Sequence, residues 1–346
     1  MRTISYADAI REALAEEMEA DERVFLLGED IGAAGGVFGV TRGLQARFGR
    51  DRVLDTPISE QAVVGAGVGA ALLGGRPVVE VMFADFVTLA MDMLVNQAAK
   101  THYMSGGALS VPMVVRLVSG TAGATAGQHS QSLEAWFVHT PGLKVVAPSF
   151  PADAKALLKA AIRDPDPVVF VEHKLLYNRK GEVPERVEPL PFGQGRVVRE
   201  GRDVTVVSYL HTLHLALEAA EALAAEGISV EVWDPRTLVP FDWEGLRASI
   251  ERTGRLVIAH EAPRRGGVGA EVAAMVAEEF ADLLAGPVVR VCGANAPMPY
   301  APELEAAVLP DARAITAGVR RALEGRLGRT PDATEASAVR EGRRRG

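Results

Sequence analysis

The chain has 346 residues, 48% of them hydrophobic and 24% charged, with a formal net charge of −8 and an isoelectric point near 5.5. That length suits two ordinary globular cores, and the acidic excess disfavours nonspecific binding to nucleic acid or to an anionic membrane surface. Cys292 is the only cysteine, which excludes an intrachain disulfide and a cysteine-built zinc site and fits a reducing compartment.

In chain order, Ser5 with Asp8 gives a capping-box pattern, and Tyr6, Ile10, Leu14 and Met18 recur every fourth residue on one helical face. Asp8, Glu12, Glu16 and Glu17 on this segment set it apart from a signal core or a transit peptide. The apolar stretches all fall short of the ~20 residues that span a bilayer, so a cytoplasmic chain that crosses no membrane is expected. Residues 23–27 read as a buried strand that enters Gly28-Glu29-Asp30-Ile31-Gly32-Ala33-Ala34-Gly35-Gly36, a loop needing unusual dihedrals or close backbone approach. A phosphate-binding reading is weak there, because no Lys-Ser or Lys-Thr pair follows.

After a helical segment at 41–48 the pattern alternates: strand 52–54, helix 60–73, strand 77–82, helix 86–103, strand 112–118 and a Gly/Ala-rich loop at 119–127. Strand 143–147, helix 151–163 and strand 168–171 complete the first half. Continuous apolar strands separated by helices predict a mostly parallel sheet covered on both faces. Periodicity is lost from 177 to 195, where Pro and Gly recur, which marks a linker. Strands at 204–209, 229–233, 256–259 and 287–291, with helices at 213–226, 243–252, 269–284 and 311–323, predict a second α/β domain. The expected partition is a first domain at 1–177, a linker at 178–200, a second domain at 201–326 and a polar disordered tail at 327–346 that ends in Arg343-Arg344-Arg345.

Four stretches carry candidate chemistry. Asp55-Thr56-Pro57-Ile58-Ser59-Glu60 closes a strand in a turn and opens a Gly/Ala-rich helix with a carboxylate, for which capping by Ser59 and the helix dipole are a sufficient local account. Gly65-Ala66-Gly67-Val68-Gly69 lies inside that helix with Ala70 where a dinucleotide fingerprint needs its last glycine, so close helix packing explains it better, although Glu80 stands near the place of a ribose-binding acid. Met82, Phe83 and Phe86 follow the third strand; packing explains them, and the carboxyl end of a parallel strand is also where an apolar wall for a planar ring would sit. His129 is reached through Thr121-Ala122-Gly123-Ala124-Thr125-Ala126-Gly127-Gln128, small residues that leave room for proton transfer, with an incidental loop histidine as the plain alternative.

Thr56-Pro57-Ile58-Ser59-Glu60 resembles the beta subunits of thiamine-diphosphate-dependent 2-oxo-acid dehydrogenases, the decarboxylating components of pyruvate, branched-chain and acetoin dehydrogenase complexes. The similarity continues through Gly28-Glu29-Asp30, Tyr103-Met104-Ser105-Gly106-Gly107, Gln128-His129-Ser130-Gln131-Ser132, Pro141-Gly142-Leu143-Lys144-Val145-Val146, Glu172-His173-Lys174-Leu175-Leu176-Tyr177 and Pro297-Met298-Pro299-Tyr300, and only the tail lies outside it. It implies an N-terminal pyrimidine-binding transketolase-like α/β domain with a mostly parallel sheet, followed by a C-terminal transketolase-type α/β domain.

Carried over by position, the resemblance makes Glu60 the carboxylate that hydrogen-bonds a ring nitrogen of the cofactor's aminopyrimidine and so activates it. Phe86 and Met82 would line the pyrimidine pocket, and His129 would handle protons as the acyl group passes to a lipoyl dithiolane. The family's Gly-Asp-Gly motif for magnesium and diphosphate is absent from this sequence. The resemblance assigns it to an alpha subunit in an alpha-two, beta-two heterotetramer, with a lipoyl-bearing dihydrolipoamide acyltransferase as the second partner. A monovalent cation, usually potassium, is implied at Met113, Ala161, Ile162, Asp164 and Asp166, the last standing where relatives often have Asn. Tyr103 to Gly107 favours pyruvate as the 2-oxo acid; branched-chain 2-oxo acids and acetoin stay as alternatives. A non-catalytic scaffold or regulatory subunit is the alternative from another class, and the presence of Glu60 and His129 argues against it.

Overall fold

The computed structural model describes residues 1–325, so the tail expected at 327–346 lies outside the described residues. The first half runs β1 (Arg2–Ser5), α1 (Tyr6–Ala20), β2 (Val24–Gly28), α2 (Leu44–Phe48), β3 (Val53–Asp55), α3 (Glu60–Leu72), β4 (Arg76–Val81), α4 (Ala99–Met104), β5 (Val114–Ser119), α5 (Glu134–Val138), β6 (Lys144–Val146), α6 (Pro151–Arg163), β7 (Val168–His173) and β8 (Lys180–Val183). The second half runs β9 (Arg196–Arg199), β10 (Val204–Ser208), α7 (Leu210–Ala224), β11 (Val230–Asp234), β12 (Thr237–Val239), α8 (Trp243–Thr253), β13 (Leu256–Pro263), α9 (Val268–Glu279), β14 (Val289–Gly293), α10 (Pro302–Val308) and α11 (Ala312–Glu324).

The Ser5 hydroxyl caps α1 by accepting from the Asp8 N–H at 3.1 Å, as the capping-box pattern predicts. The helix then lays its acidic residues along α6, where buried Lys155 donates to Glu12 at 2.8 Å and to Glu16 at 2.6 Å, and Arg163 donates to Glu17 at 2.8 Å. Strands β12-β6-β7-β5-β4-β2-β3 form one sheet and β14-β13-β10-β11-β9 the other. Both are parallel throughout except at one edge, β12 on β6 and β9 on β11. This is the two-part, mostly parallel α/β architecture the apolar runs predict.

Three local expectations differ. Residues 86–103 do not form one α-helix: the chain coils tightly over Ala84–Ala90, widens over Asp92–Ala98, and becomes α-helical only in α4. Apolar spacing reports a buried face and cannot resolve the pitch of individual turns. Residues 180–183 and 196–199, read as irregular, are β8 and β9; β8 pairs with β1, itself absent from the sequence reading, in a two-stranded ribbon. Ribbon and edge strands are only half covered, so they need no apolar alternation. Finally, β12 leaves the second half of the chain to extend the first sheet, with Thr237 opposite Val146.

Within the first sheet a buried ion triad spans three adjacent strands. Arg116 on β5 donates to both oxygens of Glu172 on β7, at 2.5 and 2.7 Å, and to Glu80 on β4. Tyr177 donates its hydroxyl to Glu172 at 2.7 Å. Burial, and then Glu172, push the Glu80 carboxyl up, with Arg116 opposing them. The triad fixes Glu80 where the sheet opens toward the candidate site.

Candidate functional site

The carboxyl ends of β5, β4 and β2 lie side by side, and each continues into a segment singled out from the sequence: 120–131, Met82 to Phe86, and Gly28 with Glu29. Ligands of parallel α/β sheets collect at this edge.

Glu60 opens α3 and is only 7% exposed. Ser59 makes no capping bond through its side chain, so that part of the local account does not hold. Among the described residues the Glu60 carboxylate has neither a hydrogen bond nor an ion pair, and it faces a narrow crevice lined by Glu29, Val63, Glu80, Val81 and Met82. The hydroxyl oxygen of nearby Thr56 is buried without a partner. The partial positive charge at the α3 N-terminus offsets some of the cost of burying this carboxylate, and a donor from outside the chain would offset more. Burial and the charge of Glu60 together raise the Glu29 carboxyl above its ordinary value. Glu60 and Met82 therefore meet in one crevice.

The dinucleotide alternative is weakened at two points. Glu80 is held by Arg116 rather than left for a ribose hydroxyl. A Cβ on Gly67 would come within 2.8 Å of Val79 Cγ2, so the central glycine of the run serves close helix–strand packing.

His129 and Phe86 are also brought together. The imidazole stands edge-on to Phe83 at 4.8 Å and to Phe86 at 5.2 Å between ring centroids, and those two phenyl rings meet each other at 5.8 Å. Lys174 lies over Phe83 at 5.2 Å, donates to the Gly120 carbonyl, and is pushed down to about 8 by burial. Beside the His129 loop is a cavity of about 400 Å³, lined on one side by Gly127, Ser130 and Gln131 and on the other by Glu261, Asn295 and Met298.

The oxygens implied for a monovalent cation are engaged within the chain. The Met113 carbonyl accepts from Val168 N–H at 2.9 Å, and the Ala161 carbonyl from Asp164 N–H at 3.3 Å. Arg76 donates to the Ile162 carbonyl at 2.8 Å and to the Asp164 carbonyl at 3.4 Å. Lys144 Nζ sits between the Asp164 and Asp166 carboxylates at 2.6 and 3.0 Å. Lys144 is shared by the two carboxylates, and Arg76, itself paired with Asp21 at 3.6 Å, donates to two of the carbonyls, so a potassium ion here would compete with two side-chain cations.

Sequence reasoning gave no site role to Asp85, Glu261 or Glu305. Phe83, grouped with Met82 and Phe86 as a candidate apolar wall, meets the His129 ring edge-on as Phe86 does. Asp85, 5% exposed, accepts from the Gln131 backbone N–H at 3.2 Å and from its side chain at 2.9 Å. A lone Asp inside an apolar cluster was the available clue. Glu261 and Glu305 are far off in sequence and had none.

The profile described as the transketolase pyrimidine binding domain matches residues 2–180, and that of the transketolase C-terminal domain matches 193–315. The chain is 47% identical to the beta subunit of acetoin:2,6-dichlorophenolindophenol oxidoreductase of Cupriavidus necator, over 94% of this chain and 98% of that protein. It is 46% identical to the beta subunit of the pyruvate dehydrogenase E1 component of Rhizobium meliloti, over 92% and 70% respectively, and 46% identical to the beta subunit of 2-oxoisovalerate dehydrogenase of Bacillus subtilis, over 94% and 100%. Among solved structures it superposes on a split-gene transketolase described as an inactive beta4 tetramer, with a TM-score of 0.77 and 27% identity, covering 93% of this chain and 99% of that one.

Proposed function

The chain belongs to the family of beta subunits of thiamine-diphosphate-dependent 2-oxo-acid dehydrogenases, and we propose that it supplies half of a decarboxylating active site whose other half is an alpha subunit. Residues 1–177 would be its pyrimidine-binding domain and 201–326 its second domain. The observation that carries this reading is Glu60, a buried residue at a helix start whose carboxylate faces a crevice and has no hydrogen-bond or ion-pair partner among the described residues.

Bound thiamine diphosphate would supply the nucleophilic carbon and the electron sink that decarboxylation requires. Glu60 would accept the hydrogen bond, and hold the proton, at the aminopyrimidine ring nitrogen. Its burial makes that interaction stronger than it would be in water. Met82 would pack along the pyrimidine, and Phe83 and Phe86 would exclude water beside it. His129, backed edge-on by the same two rings, would move a proton at the acyl oxygen as a lipoyl dithiolane on an acyltransferase takes the acyl group. The cavity beside its loop supports an approach for that acceptor. Magnesium and the diphosphate would be held by the alpha subunit. A cytoplasmic setting accords with Cys292 as a free thiol.

Pyruvate is the proposed 2-oxo acid. Relatives at 47% and 48% identity named for acetoin make acetoin the second candidate. The test is co-expression with the alpha chain, followed by thiamine-diphosphate-dependent decarboxylation of pyruvate and branched-chain 2-oxo acids, and cleavage of acetoin with release of acetaldehyde, with Glu60→Gln beside the unaltered protein. Full activity in Glu60→Gln would sink the assigned role. Turnover by the beta chain alone would overturn the shared site.

A further inference from the structure

The loop that carries His129 is held in an unfavourable conformation. Ala124 and Ala126 have φ of 53° and 58°, in the left-handed region, where a side chain with a Cβ costs on the order of 1 kcal/mol per residue. Such a conformation persists only where its surroundings over-determine it. Inside the first domain the loop is closed by the Gly120 N–H donating to the Gln131 carbonyl at 3.2 Å, by Asp85 accepting from Gln131, and by the Thr125 and Ser130 hydroxyls at 2.6 Å.

The strained stretch itself is gripped from the second domain. Glu305 on α10, 5% exposed, accepts from the Ala124 N–H at 2.7 Å and, through its other oxygen, from the Thr121 hydroxyl, which in turn accepts from the Gly123 N–H at 3.0 Å. Glu261 on β13 accepts from the Thr121 N–H at 3.0 Å, and its second oxygen lies 2.9 Å from His173 Nε2. Burial alone would raise the Glu261 carboxyl, but His173 and the Thr121 N–H together hold it below its ordinary value, so it is a charged acceptor. Charge-assisted bonds of this kind are stronger than neutral ones and fix geometry. The three bonds from these carboxylates to the loop join residues at least 140 positions apart in the chain.

We propose that Glu261 and Glu305 are positioning residues that hold the loop of His129, so that the second domain sets the acyl-transfer geometry of a site otherwise built on the first. This rests on the acyl-transfer role proposed for His129. A misplacement of about 1 Å costs up to a hundredfold in rate, so loosening the clasp should spare decarboxylation, which calls on Glu60, and slow the transfer that calls on His129.

The test uses the complex assembled with the alpha chain and five forms of this chain: unaltered, Glu305→Gln, Glu261→Gln, Thr121→Val, which deletes the hydroxyl that reaches Glu305, and Thr121→Ser, which retains it. Two quantities are read: amide hydrogen exchange across 120–131, and lipoyl acylation relative to decarboxylation with an artificial electron acceptor. Glu305→Gln, Glu261→Gln and Thr121→Val should speed exchange in this loop and lower acylation about ten- to a hundredfold, with decarboxylation within about twofold. Thr121→Ser should match the unaltered protein in both. Unchanged exchange, or faster exchange with acylation intact, overturns the proposal. Equal loss of both reactions, or failure of Thr121→Ser to restore them, marks a general structural defect and overturns it as well. Absence of thiamine-dependent activity in the unaltered complex would refute the proposed function, and the exchange arm alone would then decide whether the carboxylates hold the loop.

Discussion

Replacing Arg116 with Met tests the electrostatic frame of the first sheet. Arg116 is 1% exposed and, among the described residues, is the one positive charge in contact with Glu172, at 0%, and Glu80, at 8%. Met fills much of the volume but leaves two carboxylates buried beside each other. Removing one partner of a buried ion pair costs about 3–5 kcal/mol, and the like charges left behind place Arg116→Met at the upper end of that range at neutral pH. The pH dependence has a definite sign. Glu80 is already raised by burial, so without the opposing Arg116 its folded value climbs further above its unfolded one. Stability tied to such a group is full below its unfolded value and is lost as pH rises through its folded value. Arg116→Met should therefore be less damaged at pH 5 than at pH 8. Urea unfolding of the variant and its parent at the two pH values measures this, and adding Glu80→Gln with Glu172→Gln should restore most of the loss. A loss under about 1 kcal/mol, the scale of an exposed pair, or one equal at both pH values, would refute the reasoning.

Gly120 has a φ of +73°, and a Cβ there would fall 2.0 Å from His173 Nε2. Gly120→Ala should lower stability by at least about 1–2 kcal/mol from the backbone term alone and displace His173 from Glu261, seen as a shifted His173 imidazole resonance; an unchanged resonance would count against the close approach. Asp234 is fully buried, and burial, with Asp153 adding to it, pushes its carboxyl up to about 7. Its folded value exceeds its unfolded value, so stability should fall as pH rises from about 4 to about 7, and Asp234→Asn should flatten thermal midpoints across that window; parallel curves for the two proteins would exclude Asp234 as the cause. With Arg76 and Lys144 on the oxygens implied for a cation, melting in potassium, sodium and choline chloride at equal ionic strength should coincide. A rise specific to potassium would show that these side chains yield to the metal.

Features that depend on residues close together in the chain were legible before the fold was known. Apolar runs of β4, β5 and β7, buried on both faces, announced a parallel sheet, and the Ser5-Asp8 cap with its fourth-residue stripe placed α1. The motif around Glu60 and the small-residue approach to His129 were legible for the same reason: a turn, a helix start and a loop are short-range objects. The meeting of Glu60 with Met82, and of His129 with Phe83 and Phe86, needed the sheet order that sets three strand ends side by side. Edge strands β8, β9 and β12 left no periodic signal because half their surface meets solvent or another segment. Arg76, Glu261 and Glu305 carried no local signal, and Lys144 stood out only as part of a resembling segment. Sheet and helix packing bring Arg76 and Lys144 onto the oxygens around Asp164, and Glu261 and Glu305 onto the strained loop, because the energy of a charge is set by what surrounds it in space.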